Sequence, residues 1–400
     1  MSLGEGSLFP VENLPFCVFS APGDGRRRVG VAIGSYVLEA APVCESRGLA
    51  SEAPALSAGA LNPFLARGPV AWQRVREALA EAISRRSEVE PVAGNLHPLS
   101  DVTLHLPFEV ADYVDFYSSE HHASNVGRIF RPDGDPLPPN WKHLPIGYHG
   151  RAGTVVVSGT PIVRPKGQRK RTTDPSPTFG PSERLDIEAE VGFVVGSGSR
   201  IGEPVPLDDF EWHVFGLVLL NDWSARDIQS WESVPLGPFL GKSFATSVSP
   251  FVVPIAALEH ARLAPPPRDP PVLPYLDDSG KPPWGLDLSL EIAWNGTVVS
   301  RPPFRTMYWT PAQQLAHMTV NGASLRTGDL YASGTVSGPS GDERGSFLEL
   351  SWNGSTPVSL GDGSERSFLE DGDVVTISAT APGANGTTIG LGEVTGQILP

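Results

Sequence analysis

Glycine and proline punctuate this chain from end to end: 43 Gly and 41 Pro, more than a fifth of 400 residues, recur without a period. Glycine weakens helix interiors and proline breaks them, so such a chain is restricted mainly to short strands joined by many turns. Two stretches keep a helical pattern. In "PVAWQRVREALAEAISRR" (69–86), Trp72, Val75, Leu79 and Ile83 recur at helical spacing with Arg and Glu between them. In "TPAQQLAHMTVNG" (310–322), Thr310 is the expected N-cap, Pro311 takes the first helical position and Gln313 completes a capping box.

The first hundred residues read as a unit of their own. "FCVFSAPGDGRRRVGVAIGSYVLEA" predicts strand, turn and strand, with the turn at Gly23–Asp24–Gly25. The Pro/Gly-rich stretch 90–101 is the expected boundary, which gives domains 1–100 and 101–400. Beyond it, "TVVVSGTPIV", "LDIEAEVGFVV", "FGLVLLND", "LDLSLEIAWNG", "SFLELSWNG" and "DVVTISAT" are strand-like.

Charge excludes some functions. Lys and Arg number 30 against 45 Asp and Glu, a net of −15, and this field repels nucleic acid and anionic membranes. The one basic run, "RPKGQRKR" at 164–171, contains Pro and Gly and is read as a solvated loop. Two cysteines, Cys17 and Cys44, form no disulfide framework and suit a reducing compartment. "MSLGEGSLFP" has no signal-peptide pattern, and apolar runs such as "VFGLVLL" (214–220) fall far short of the roughly 20 residues a bilayer span needs. A cytoplasmic protein is expected.

The chemistry concentrates in carboxylates. In "LDIEAEVGF", Leu185, Ile187, Ala189, Val191 and Phe193 alternate with Asp186, Glu188, Glu190 and Gly192. Strand periodicity puts the three acids on one face, turned either to water or to a site. Asp222 ends the apolar run "FGLVLLND", where it serves a site at a sheet edge or caps a turn. "WSARDIQSWE" predicts a helical turn opening at Ser224, with Arg226 and Gln229 on one face. With Asp115 from "DYVDFYSSEHHASNVGRIFR" (112–131), these acids form an all-oxygen set suited to Mg2+ or Ca2+ rather than zinc. Ser118 and Ser119 stand near a histidine, but no G-x-S-x-G elbow occurs, so a serine nucleophile is disfavoured.

"DFYSSEHHASNVG", "NWKHLPIGYHGR", "LDIEAEVGF", "NDWSARDIQSWE", "PLGPFLGKSF" and "ASGTVSGP" closely resemble the fumarylacetoacetase family. The likeness runs in order from about residue 105 to the C-terminus and is weaker before that. It implies a mainly β (α+β) chain, with an N-terminal SH3-like barrel and a C-terminal mixed β-sandwich roll, assembled as a homodimer. It also implies a small-molecule β-diketo acid substrate, 4-fumarylacetoacetate, cleaved by water into fumarate and acetoacetate; the alternative is a relative acting on another β-diketone or acylpyruvate. By the same resemblance, Mg2+ and/or Ca2+ would be held by Asp115, Glu188, Glu190 and Asp222, with Lys242 and Thr246 beside them. His122 would be the general base, supported by Glu349; Lys242, Arg226 and Gln229 would face developing negative charge. Substrate contacts would fall on Tyr117, Arg131, Tyr148, Gln229 and Thr335. Three places depart from the animal pattern: Ser233 stands for Tyr, Ala245 for Gly, and Glu120–His121 for a more basic or neutral pair.

The reaction needs such a set. Expelling carbon from a diketone adduct requires its charge to delocalise into a carbonyl held by an electrophile. A histidine with an ordinary pKa near 6.5 suits proton abstraction near neutrality, and a carboxylate on its other nitrogen fixes the tautomer. A non-catalytic relative would have no need of that base pair.

Overall fold

The computed structural model describes residues 4, 6–84 and 94–400, and the chain is mainly β. Its centre is an eight-stranded sheet built around Val214–Asp222, which is buried along its whole length. That strand pairs antiparallel with Ala189–Val195 on one side and Thr246–Val248 on the other. Leu330–Ala332, Tyr113–Phe116 and Gly147–His149 extend one edge, and Val155–Val157 extends the other.

The unbroken apolar run in Val214–Asp222 has a plain cause: both faces of the strand are covered. Leu217 and Leu219 enter one core with Phe193, Tyr331 and Trp294, whereas Val218 and Leu220 enter a second core with Phe16, Val18 and Trp72. Period-two alternation therefore distributes one strand between two cores. The second core joins the central sheet to the N-terminal unit. Phe215 sits edge-on to both Phe16 and Trp72, with ring centroids 5.3 Å apart in each case.

The N-terminal sheet has five strands in the order Leu96–Pro98, Tyr36–Glu39, Arg28–Ile33, Phe16–Ser20, Thr103–His105. The expected boundary stretch lies outside the described residues at 90–93; Leu96–Pro98 still pairs with the N-terminal sheet. The first turn spans Ala21–Asp24, with Pro22 and Gly23 at its centre and so earlier than the expected Gly23–Asp24–Gly25, closed by Asp24 N–H to the Ala21 carbonyl at 3.1 Å with Gly23 at φ 72°. A third sheet of five strands carries Ser289–Trp294, Val374–Pro382 and Thr388–Leu399 against the main core.

Both expected helices form. Trp72, Val75, Leu79 and Ile83 are buried on Pro69–Ser84. Thr310 and Gln313 make both capping-box bonds at the start of Pro311–Thr319. The basic run is not a free loop: Lys166–Arg169 pairs with Thr178–Pro181 as a two-stranded ribbon, with Glu183 held by Arg169 and Arg171. Neutralisation by that acid, and close packing of Gly167 against Ile228, keep the segment extended despite its composition. "SFLELSWNG" is not a strand either. Phe347–Leu350 is a short helix, because the Ser346 hydroxyl accepts the Glu349 N–H and Trp352 and Asn353 turn the chain at positive φ. Among the described residues no helix is long and apolar enough to cross a membrane.

Candidate active site

The strand expected over "LDIEAEVGF" is broken. Leu185–Asp186 pairs with Ser224–Ala225, and Ala189–Val195 joins the central sheet after a gap at Ile187–Glu188. Asp186 causes the break. Its carboxylate accepts from the backbone N–H groups of Ile187, Phe347 and Leu348 and from Arg226 Nε at 2.8 Å. None of the three acids faces water: Asp186 and Glu190 are 0% exposed and Glu188 6%. The helix expected to open at Ser224 starts instead at Arg226, because Ser224 pairs with Asp186 in that ribbon and its hydroxyl turns back to the Asp222 carbonyl.

Three strand residues and Glu188 from the gap converge. Asp115 lies on Tyr113–Phe116, Glu190 on Ala189–Val195, Asp222 ends the central strand, and Glu188 precedes its neighbour; the Asp222 N–H donates to the Glu188 carbonyl at 3.1 Å. Each offers one oxygen, and those oxygens lie within 4.8 Å of one another. Thr246, opposite Asp222 in register, donates its hydroxyl to Asp222 Oδ1 at 3.0 Å.

Three cations share this pocket of charge. Lys242 Nζ donates to Asp222 Oδ2 at 2.8 Å and also to Glu188. Arg226 reaches Glu188 through Nη1 at 2.8 Å as well as Asp186. Arg151 donates from Nη2 to both Asp115 Oδ2 and Asp222 Oδ2, each at 2.6 Å. Even so, burial and the neighbouring carboxylates push Glu190 well above the usual carboxylate range. Burial pushes Asp115 up to about 6, although Arg151 opposes the shift. Glu188 falls the other way: Lys242 and Arg226 outweigh its burial and hold it low. Glu190 Oε1 is buried with no hydrogen-bond partner, as a ligand atom awaiting a cation would be. With an all-oxygen donor set, the cluster fits a hard divalent ion.

A cavity of about 560 Å3 opens beside the cluster, lined by Asp115, Glu188 and Lys242 and by Tyr117, His122, Arg131, Tyr148, Gln229 and Thr335. Glu190, Asp222, Thr246 and Glu349 lie outside its lining. His122 is in the first turn of Glu120–Phe130, whose cap is the Ser119 hydroxyl accepting the His122 N–H. Its Nδ1 lies 2.7 Å from Glu349 Oε2, so Nε2 is the nitrogen left free. Glu349 further accepts from Asn125, Ser337 and Ser346. Burial works against its charge, but His122 and these donors prevail and keep its carboxyl below the usual range.

The expected substrate residues differ in state. Tyr148 donates to Asp115 Oδ2 at 2.9 Å, and Arg131 Nη2 to the Pro136 carbonyl at 2.9 Å. Gln229 Oε1 accepts from Arg226 Nη1 at 3.2 Å, confirming the expected helical face. Thr335 Oγ1 and Arg226 Nη2 are buried and unpartnered. Ser233 lines the cavity but gives its hydroxyl to the Gln229 carbonyl, Ala245 is buried in the main core, and Glu120 pairs with Lys142. Sequence reasoning missed Arg151, Asn125, Ser337 and Ser346. All four lie inside quoted stretches, Arg151 in "NWKHLPIGYHGR", Asn125 in "DFYSSEHHASNVG", Ser337 in "ASGTVSGP" and Ser346 in "SFLELSWNG", but no local pattern there marks their roles.

Residues 12–107 match the family described as fumarylacetoacetase N-terminal, and 112–399 that described as fumarylacetoacetate (FAA) hydrolase C-terminal. The whole chain is 46% identical to a Homo sapiens protein named fumarylacetoacetase, covering 98% of it. This chain belongs to the fumarylacetoacetase family. An Oryza sativa subsp. japonica fumarylacetoacetase is 45% identical over all of this chain and 96% of its own length. A fumarylacetoacetate hydrolase structure from Exiguobacterium antarcticum shares the fold, with a TM-score of 0.57 at 18% identity over 96% of this chain and 99% of that one.

Proposed function

We propose that this chain hydrolyses the carbon–carbon bond of 4-fumarylacetoacetate to fumarate and acetoacetate, the last step of tyrosine and phenylalanine catabolism. Full-length similarity to fumarylacetoacetases supports the activity. The observation that carries the mechanism is His122, held by the buried Glu349 and lining the same cavity as Asp115 and Glu188.

Asp115, Glu188, Glu190 and Asp222 would hold the metal, Mg2+ or Ca2+, with Lys242 and Thr246 bracing Asp222. Bound there, a divalent ion supplies Lewis-acid polarisation of the diketone oxygens. His122 Nε2 takes a proton from the attacking water, while Glu349 holds the ring tautomer and stabilises the imidazolium. Lys242, Arg226 and Gln229 act as donors to the developing oxyanion; Arg226 brings its unpartnered Nη2, and Gln229 its amide NH2, since its oxygen is already engaged. Tyr117, Arg131, Tyr148 and Thr335 position the substrate.

Four of the five antiparallel strands of the N-terminal sheet lie within 1–100, which supports an SH3-like unit there and a catalytic roll over 101–400, although the fifth, Thr103–His105, crosses that boundary. Two buried free cysteines support a reducing, cytoplasmic setting, and family membership supports a homodimer. Ser233 favours a second reading, action on a related β-diketone or acylpyruvate, because its short side chain lines the cavity with its hydroxyl already given to the Gln229 carbonyl. Loss of diketone absorbance, followed with Mg2+ or Ca2+ and again after EDTA, tests the activity. No loss with fumarylacetoacetate, together with turnover of an acylpyruvate, would decide for the second reading.

A further inference from the structure

Arg151 sits where an arginine is costly to place. Its backbone is left-handed, at φ 62°, directly after Gly150 at φ 146°. Such a conformation in a bulky residue persists only where its surroundings dictate it. The surroundings here are aromatic and acidic. The guanidinium lies 4.7 Å from the Tyr113 ring centroid and 5.1 Å from that of Tyr148, and its side chain is 4% exposed. One nitrogen, Nη2, meets both Asp115 Oδ2 and Asp222 Oδ2 at 2.6 Å.

The charges around it form a short ledger. Asp115, Glu188, Glu190, Asp222 and the Arg226-bound Asp186 are five acids; Arg151, Arg226 and Lys242 are three bases. With every carboxyl ionised, as cation ligands must be, the formal balance is two negative charges, which one divalent cation cancels. Without Arg151 the balance is three.

We propose that Arg151 is a positioning residue that sets the valence of the ion this centre accepts: it ties Asp115 to Asp222 and trims the cluster to the charge of a divalent cation. The inference rests on the metal reading given above. Because a cation inside the cluster repels a trivalent ion more than a divalent one of similar size, its removal shifts selectivity and not affinity alone.

Full-length protein stripped with a chelator is titrated with Ca2+ by calorimetry and with Tb3+ by luminescence. Arg151→Gln is expected to raise the Tb3+-to-Ca2+ affinity ratio roughly tenfold or more, whereas Arg151→Lys, which keeps the charge, holds the ratio within about twofold. Asp186→Asn, an isosteric loss of one negative charge at a residue outside the four ligands, lowers the ratio. Equal changes for both ions in Arg151→Gln, or no change, would overturn the proposal, since a merely structural arginine moves both together. Should that variant not fold, an unchanged ratio in Asp186→Asn overturns it alone. A wild-type chain binding neither ion removes the metal reading itself, a distinct result.

Discussion

His122 and Glu349, separated by 227 positions in the chain, meet at 2.7 Å between Nδ1 and Oε2. Glu349 keeps its charge while wholly buried because His122 first, and then donors such as Asn125 and Ser346, outweigh the burial. Glu349→Gln preserves its shape but presents the wrong partner to the ring. The expected result is a fall in kcat of about 100-fold to 10,000-fold with KM little changed. His122→Ala removes the base and should abolish turnover while substrate still binds. Steady-state kinetics and substrate calorimetry check both; a His122→Ala enzyme keeping most of its rate would exclude the assignment.

Asp222 serves the cluster from the end of a rigid central strand and accepts from Lys242, Arg151 and Thr246. Asp222→Ala should weaken divalent-ion binding by about 100-fold or more, whereas Thr246→Val, which removes only the supporting hydroxyl, should cost about 10-fold. Calorimetric titration with Mg2+ and Ca2+ measures each. An unchanged affinity in Asp222→Ala would count decisively against its place among the ligands.

Burial pushes the Cys17 thiol far up and the Cys44 thiol up to about 12, with Glu52 adding to the second shift. Both pKa values are raised by folding, so their contribution to stability is full below the unfolded thiol value near 8.5 and is lost as pH climbs from there toward 12. The melting temperature should fall between pH 8 and pH 10, and part of that fall should vanish in Cys17→Ala/Cys44→Ala. A thiol reagent at pH 8 should label neither cysteine until denaturant is added; rapid labelling of the native chain would contradict this.

Phe215 is one of the contact points between the N-terminal unit and the central sheet, edge-on to Phe16 and Trp72. Phe215→Ala should cost about 3–5 kcal/mol through lost burial and an unfilled cavity. Thr310→Ala, which removes one helix cap, should cost about 1 kcal/mol. Thermal melts of the two variants should therefore differ severalfold in their shifts, and equal shifts would refute the ranking.

Local rules were readable wherever the chain obeyed one period or one cap. The face of Pro69–Ser84, the box at Thr310 and the buried run ending in Asp222 all follow from neighbours in sequence. Convergence of the four acids came through resemblance, because strands distant in sequence bring them together. What stayed hidden depends on partners far along the chain. Asp186 breaks its strand because Arg226 and two N–H groups near residue 347 capture it, and no alternation pattern encodes that. Glu349 sits on a single helical turn set by Ser346, within a segment whose composition reads as a strand. Arg151 was obscure for a different reason: only its unusual backbone angle turns an ordinary surface residue type inward.

Val218 and Leu220 on the far side of the central strand are sealed by side chains from the first hundred residues. The smaller portion is thus a lid on the hydrophobic rear of the catalytic scaffold, not an appendage. A fragment beginning near residue 112 would present that rear surface to water and clump, so truncation for expression should spare the N-terminus.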